Sequence, residues 1–197
     1  MSAMQQSGNK KHLRAEMRLH RAAVSTDQKF LIDDAICKQL IGSSVFEHAQ
    51  MVFIYCSTLE EIDTYEILLE SLRRGKRVCV PRCEEQQGVM TAREIRSISE
   101  LVAGKYGIPE PRADAEVVHP STIDLCVVPC LAADGRGYRL GYGGGYYDRF
   151  LAGVHAQIAA LCAEDRVLEE VPTEIFDIPC DLIFTERRIL ICETNKT

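Results

Sequence analysis

The stretch MVFIYCSTLEEIDTYEILLESLRRGKRVCVPR, residues 51–82, decides the fold class. Its opening, MVFIYCS (51–57), is short, apolar and rich in β-branched and aromatic side chains, the composition of a strand covered on both faces. Asp63 with Glu66 three residues on has the spacing of a helix start, and Gly75 stops the helix TYEILLESLRR. KRVCVPR (76–82) is then a second strand. Strand, helix and strand in close succession make a β-α-β unit, which implies parallel pairing.

Outward from this unit the alternation continues. KKHLRAEMRLHRAAVS (10–25) puts Leu13, Met17 and Ala22 on one stripe and basic residues elsewhere, as an amphipathic helix does. Ser25 and Gln28 form a capping box that opens a second helix through FLIDDAICKQLIG (30–42). VMTAREI (89–95), DLCVVPCLA (124–132), AQIAALCA (156–163), CDLIFTE (180–186) and RRILICE (187–193) are further strands. GKYGIPEPRADAE (104–116) has the composition of a surface loop, DGRG (134–137) that of a turn, and Tyr146 to Leu151 forms a helix. The result is an α/β fold around a mostly parallel sheet. No domain boundary stands out, so residues 1–197 are expected to form one domain, with 1–9 as a flexible N-terminal extension.

The composition, 46% hydrophobic and 26% charged, is that of an ordinary globular chain able to bury a core. A net charge of -6 argues against nucleic acid as the main partner. No apolar run is long enough to span a bilayer, and no signal peptide opens the chain. The first 24 residues have the basic, acid-poor composition of a transit peptide, yet they also form a good helix, so the cytoplasm is the expected location. Nine cysteines, an odd number placed mostly in apolar runs, are expected to be buried and reduced. Cys79/Cys83 and Cys126/Cys130 would lie about 13 Å apart on extended chain, too far to share one zinc ion.

RLGYGGGYYDRF (139–150) is the segment that carries chemistry. It lacks the Gly-Lys-Ser/Thr ending of a Walker A loop, and Tyr146 stands where a dinucleotide fingerprint needs its third glycine. Two readings remain open. The glycines can serve a tight strand-to-helix turn that needs positive φ, or they can bare the backbone so that a phosphate reaches the amides. Three in succession exceed what one turn requires, which favours the ligand. A loop at the carboxyl edge of a parallel sheet is well placed for one. Arg139 supplies positive charge at its mouth, and Asp148 is suited to hold Mg²⁺ against phosphate oxygens. Lys10, Lys11 and Arg14, three and four apart on a helix, can converge on the same anion.

RLGYGGGYYDRFL (139–151) resembles the signature of the 5-formyltetrahydrofolate cyclo-ligase family. KKHLR (10–14), STLEEIDT (57–64), VPR (80–82), DLCVVPCLAAD (124–134) and VPTEIFDIPCDLIFTE (171–186) match it in order, across nearly the whole chain. The resemblance implies a single three-layer α/β/α domain similar to sugar-phosphate isomerases and CoA transferases. It implies conversion of 5-formyltetrahydrofolate to 5,10-methenyltetrahydrofolate with ATP and Mg²⁺, giving ADP and phosphate through a phosphorylated formyl group. ATP would meet Lys10, Lys11, Arg14, Arg139, Gly141, Gly143, Gly144, Gly145, Tyr146 and Tyr147. The folate, with or without a polyglutamate tail, would meet Cys56, Glu61, Tyr142 and residues 143–146. Arg139 and Asp148 would be catalytic, with Asp148 and Asp177 as metal ligands and Asp181 the alternative to the latter.

Some residues carry a second reading. Cys56 serves strand packing equally well, Tyr147 can pack inward, and Asp63 is read as a helix cap. Phe176 stands where many relatives have histidine, and some carry basic residues at the positions of Tyr142 and Gly144. A monomer with no nucleic-acid or membrane partner is expected. The competing accounts are a sugar-phosphate isomerase or acyl-CoA enzyme on the same fold, and a nucleotide-binding module without turnover.

Overall fold

The computed structural model describes residues 3–193. Two helices lead, α1 (Ala3–Ala22) and α2 (Thr26–Ile41), followed by the short α3 (Ser44–His48). The expected β-α-β unit is present as β1 (Met51–Ile54), α4 (Tyr65–Arg73) and β2 (Arg77–Cys83). Then come β3 (Met90–Ile95), β4 (Leu101–Ala103), β5 (Pro109–Pro111), β6 (Val117–Val118), β7 (Leu125–Pro129), β8 (Ala132–Asp134) and β9 (Arg139–Leu140). The chain ends with α5 (Tyr146–Leu151), β10 (Gln157–Leu161), β11 (Val167–Leu168), β12 (Leu182–Phe184) and β13 (Ile189–Ile191). Helix α1 takes in residues 3–9, which the sequence set apart as an extension.

Eight strands form the central sheet in the order β13-β12-β10-β7-β1-β2-β3-β6. The five from β12 to β2 are mutually parallel, and β3 and β13 run antiparallel to their neighbours. Burial on both faces explains why these strands are apolar without interruption. Val52 and Ile54 face a core built with Ile36 and Leu40 of α2 and Ile67 and Leu68 of α4, while Met51 and Phe53 face Phe150 and Leu151 of α5. Helices thus cover both faces of the sheet. A smaller sheet, β11-β8-β9, carries Leu131, Ala132 and Leu140, against which α1 packs Leu13 and Met17.

Local signals explain the element ends. Ser25 caps α2 with the reciprocal box to Gln28. At the end of α4, Gly75 has φ +71°, and the amides of Gly75 and Lys76 return to the carbonyls of Leu72 and Ser71, satisfying the last turn. Asp63 is one residue too early to be the cap. Thr64 holds that position, but its hydroxyl donates to Tyr55 O at 2.6 Å, and Asp63 instead accepts the Tyr65 amide at 2.9 Å.

Two expectations of the sequence are corrected. Residues 104–116 are not all loop: β5 pairs antiparallel with β4. Residues 124–132 are not one strand: the ladder ends at Pro129, and Leu131 N–H donates to Leu140 O of the small sheet.

After β1 the chain moves to β2 on one side, while β7 lies on the other. Connections therefore leave the carboxyl ends of β1 and β7 in opposite directions, which opens a crevice between them.

Candidate active site

The segment after β1 forms one wall of that crevice. Tyr55 is buried and donates its hydroxyl proton to Ile62 O at 2.7 Å, while Thr64 ties down Tyr55 O, so the intervening turn is pinned from below. Glu61, only 7% exposed, accepts the Thr58 amide at 2.9 Å. Glu110 on β5 is a second buried acid in the cavity wall, reached by the Cys83 amide at 3.4 Å. Cys56 is buried and responds to both acids. Burial first, then the charges of Glu110 and Glu61, push its thiol up to about 12.

The glycine loop forms another wall. Gly143 and Gly145 have φ of +99° and +66°. Gly144 has no such φ, but a Cβ there would sit 2.8 Å from the Tyr146 ring. Turn geometry thus calls for glycine at 143 and 145, and the Tyr146 ring leaves no room for a Cβ at 144. Gly141 has open space around its would-be Cβ. Arg149 braces the loop by donating to Gly88 O at 2.7 Å and Gly144 O at 2.5 Å. Tyr147 turns its ring inward, edge-on to Phe53 at 6.5 Å, while still lining the cavity.

Beneath the loop, Arg139 is buried and donates to Asp148 Oδ1 at 2.8 Å and to Ile178 O at 2.6 Å. The Ile178 amide reaches the same Oδ1 at 3.2 Å. Asp148 thus stands at the cavity surface, held by a buried cation.

Helix α1 supplies cations from far away in sequence. Arg14 Nε donates to Gly141 O at 2.8 Å, and Arg14 Cζ lies 3.4 Å from where a Cβ on Gly143 would be. Lys10 is buried and shared between Asp177 at 2.5 Å and Glu174 at 3.4 Å. Lys11 is not brought to the cavity. One residue along a helix is a turn of about 100°, and Lys11 is exposed on another side. Of the two acids left open, Asp177 lines the cavity, whereas Asp181 accepts the Ile158 amide at 2.8 Å and is not in the wall.

Residues the sequence did not single out also reach the site: Arg18, Glu110 and Glu174 line the cavity, and Arg21 donates to Tyr142. Arg18 and Arg21 were among the undifferentiated basic residues of α1, and Glu110 lay in a supposed loop. The signal for Glu110 was its setting between two prolines, which favour extended backbone.

These walls enclose a cavity of about 1340 Å³. Its volume suits more than one small molecule. Cations beside exposed backbone match phosphate oxygens, and two buried carboxylates match paired N–H donors. A cavity so lined, at the switch point of a parallel sheet, defines an α/β protein with a binding site for small molecules.

Comparison with known proteins supplies the family. Residues 6–186 match the 5-formyltetrahydrofolate cyclo-ligase family. The 5-formyltetrahydrofolate cyclo-ligase of Escherichia coli K12 is 29% identical over 178 residues, covering 88% of this chain and 98% of its own. That of Mus musculus is 25% identical, with 94% and 98% covered. The structure of Aquifex aeolicus 5,10-methenyltetrahydrofolate synthetase superposes with a TM-score of 0.83 at 28% identity, covering 95% of each chain. The chain belongs to the 5-formyltetrahydrofolate cyclo-ligase family, and it is an enzyme of that type. Among the described residues no helix is long and apolar enough to cross a membrane.

Proposed function

We propose that the protein cyclises 5-formyltetrahydrofolate to 5,10-methenyltetrahydrofolate at the expense of ATP, with Mg²⁺. One observation carries this reading. A basic helix more than a hundred residues away in sequence docks on the glycine loop, and the same cavity contains two buried acids.

Lys10, Arg14 and Arg139 are the cations for the triphosphate, with the exposed backbone at 143 and 144 as amide donors. Glu61 accepts from the pterin's amino group and ring N–H, with Cys56 and Tyr142 against the ring. The formyl oxygen attacks the γ-phosphorus and ADP leaves, giving an imidate phosphate. N10 then adds to the activated carbon, the C–O bond to phosphate breaks, and the N10 proton is lost as the ring closes. The protein forms no covalent bond, so its part is positioning and charge neutralisation.

Mg²⁺ coordinates one or two carboxylates together with phosphate oxygens and water, so Asp148 and Asp177 in one cavity wall fit it. Among the described residues no cluster of three or more His, Cys, Asp or Glu side chains forms a metal site, so this one would be completed by the nucleotide. Bound there, the metal supplies charge neutralisation on the phosphates.

The test mixes protein, 5-formyltetrahydrofolate and Mg²⁺ with and without ATP and follows the near-ultraviolet band of the methenyl product. Growth only with ATP is expected. Growth without nucleotide, or none at all, refutes the reading.

A further inference from the structure

The peptide unit that joins Gly144 to Gly145 has glycine on both sides, so no Cβ opposes its rotation. A flip of this unit would exchange the places of its carbonyl oxygen and its N–H. In a phosphate cradle the two are opposites, because the N–H attracts a phosphate oxygen and the carbonyl repels it. The loop's own sequence leaves this orientation open, and a neighbour must choose it.

Arg149 is that neighbour. It lies on α5, exposed and outside the cavity wall, whereas Gly144 and Gly145 line the cavity. Its Nη2 donates to Gly144 O. Among the described residues no peptide bond is cis. In a trans peptide the C=O and the following N–H point in opposite directions. A carbonyl held outward by Arg149 therefore turns the Gly145 N–H away from it, toward the cavity. Among the described residues no acceptor takes that N–H.

The guanidinium is itself held in place. Its Nε donates to Gly88 O at 2.7 Å, in the turn between β2 and β3. Gly88 has φ +80°, and a Cβ there would fall 1.8 Å from Arg149 Nη2, so a side chain at 88 would displace the guanidinium. One planar group with donors in fixed directions thus reaches both carbonyls. The carbonyl of Gly141 is dealt with separately: Arg14, which lines the cavity, covers it at 2.8 Å.

We propose that Arg149 is a positioning residue: it holds the Gly144 carbonyl outside the cavity and so presents the Gly145 N–H to the triphosphate. This rests on the reading of the glycine loop as the ATP site. A brace that served the fold alone would change stability and treat both substrates alike.

The first test reads KM for each substrate on the whole protein. Arg149→Met is expected to raise KM for ATP about tenfold, the size of one hydrogen bond to a charged group, with KM for 5-formyltetrahydrofolate within about twofold. Gly88→Ala, at a residue outside the cavity wall, dislodges the same guanidinium and is expected to give the same pattern. Unchanged KM for ATP in either folded variant, or both KM values rising together, would overturn the proposal.

A second test needs no turnover. Gly143–Gly144 and Gly144–Gly145 are the two Gly-Gly steps of the chain. Protein made with glycine labelled at its carbonyl ¹³C and at ¹⁵N, beside unlabelled serine, therefore shows only these amides in a carbonyl–amide correlation spectrum. The Gly145 signal reports both ends of the peptide, the carbonyl that Arg149 holds and the N–H that meets the phosphate. A non-hydrolysable ATP analogue with Mg²⁺ is expected to move its proton downfield in the wild type and not in Arg149→Met. If the analogue moves Gly144 but not Gly145 in the wild type, or moves Gly145 equally in the variant, Arg149 does not have this role and the ATP site stands. If the analogue binds and moves neither, the reading of the loop as the ATP site falls as well.

Discussion

Asp148→Asn separates the charge of this residue from its shape. Asparagine can still accept, through Oδ1, the Arg139 guanidinium at 2.8 Å and the Ile178 amide at 3.2 Å. What disappears is the negative charge opposite a guanidinium whose side chain is only 4% exposed. Removing one partner of a buried pair costs about 3–5 kcal/mol. Here the acceptor survives, and a charged bond exceeds a neutral one by only about 1–1.5 kcal/mol. Since the Asp148 side chain is 29% exposed, water makes up part of the loss, and the stability cost is about 1–2 kcal/mol. For a chain of this length that lowers Tm by roughly 2–8 °C. Turnover is expected to fall far more, about 10²–10³-fold, if the carboxylate holds the metal on the phosphates. Initial rates of the methenyl band across a Mg²⁺ titration, beside thermal unfolding of the same samples, measure both. Full activity at limiting Mg²⁺ would refute the metal role. A loss of 4 kcal/mol or more would show that the charge matters mainly to the fold.

Lys10→Met is expected to raise KM for ATP about tenfold while Lys11→Met leaves it within twofold, because only Lys10 lines the cavity; steady-state kinetics in ATP check the contrast. Gly144→Ala places a Cβ 2.8 Å from the Tyr146 ring, so that ring must move. A stability loss of about 1–2 kcal/mol with a rate loss of about tenfold or more is expected, from urea midpoints and initial rates. Burial pushes the thiols of Cys37, Cys56 and Cys180 up to about 12, against about 9 for a free thiol. The folded chain keeps these protons after the unfolded chain has lost them. The stability they carry is thus complete below pH 9 and lost as pH rises from there toward 12, by up to about 1.4 kcal/mol per pH unit for each thiol. Urea midpoints that stay flat between pH 8 and 10.5 would contradict this.

The sheet was legible where burial is two-sided and the ends are marked. Residues 51–54, 65–73 and 77–83 follow from apolar runs, the 3.6 period and Gly75, and the Ser25 box marks the start of α2. Helix α5 follows the loop at the residues expected, Tyr146–Leu151. What could not be read depends on partners distant in sequence. Strand β5 has prolines on both sides of Glu110 and is held only by its pairing with β4, so Glu110 looked like loop. Arg21 belongs to a helix whose basic residues look alike in sequence. Only the docking of α1 on the small sheet selects Lys10, Arg14 and Arg21 for the interior and leaves Lys11 outside. The glycine run was legible as a motif, but the contact between position 144 and the Tyr146 ring is invisible before folding.

The most direct test is a crystal structure with a non-hydrolysable ATP analogue and Mg²⁺. The account predicts the triphosphate against the backbone at 143–145 and the guanidinium of Arg14, with the metal between phosphate oxygens and Asp148. A triphosphate bound elsewhere, or a metal with no contact to Asp148, would contradict it.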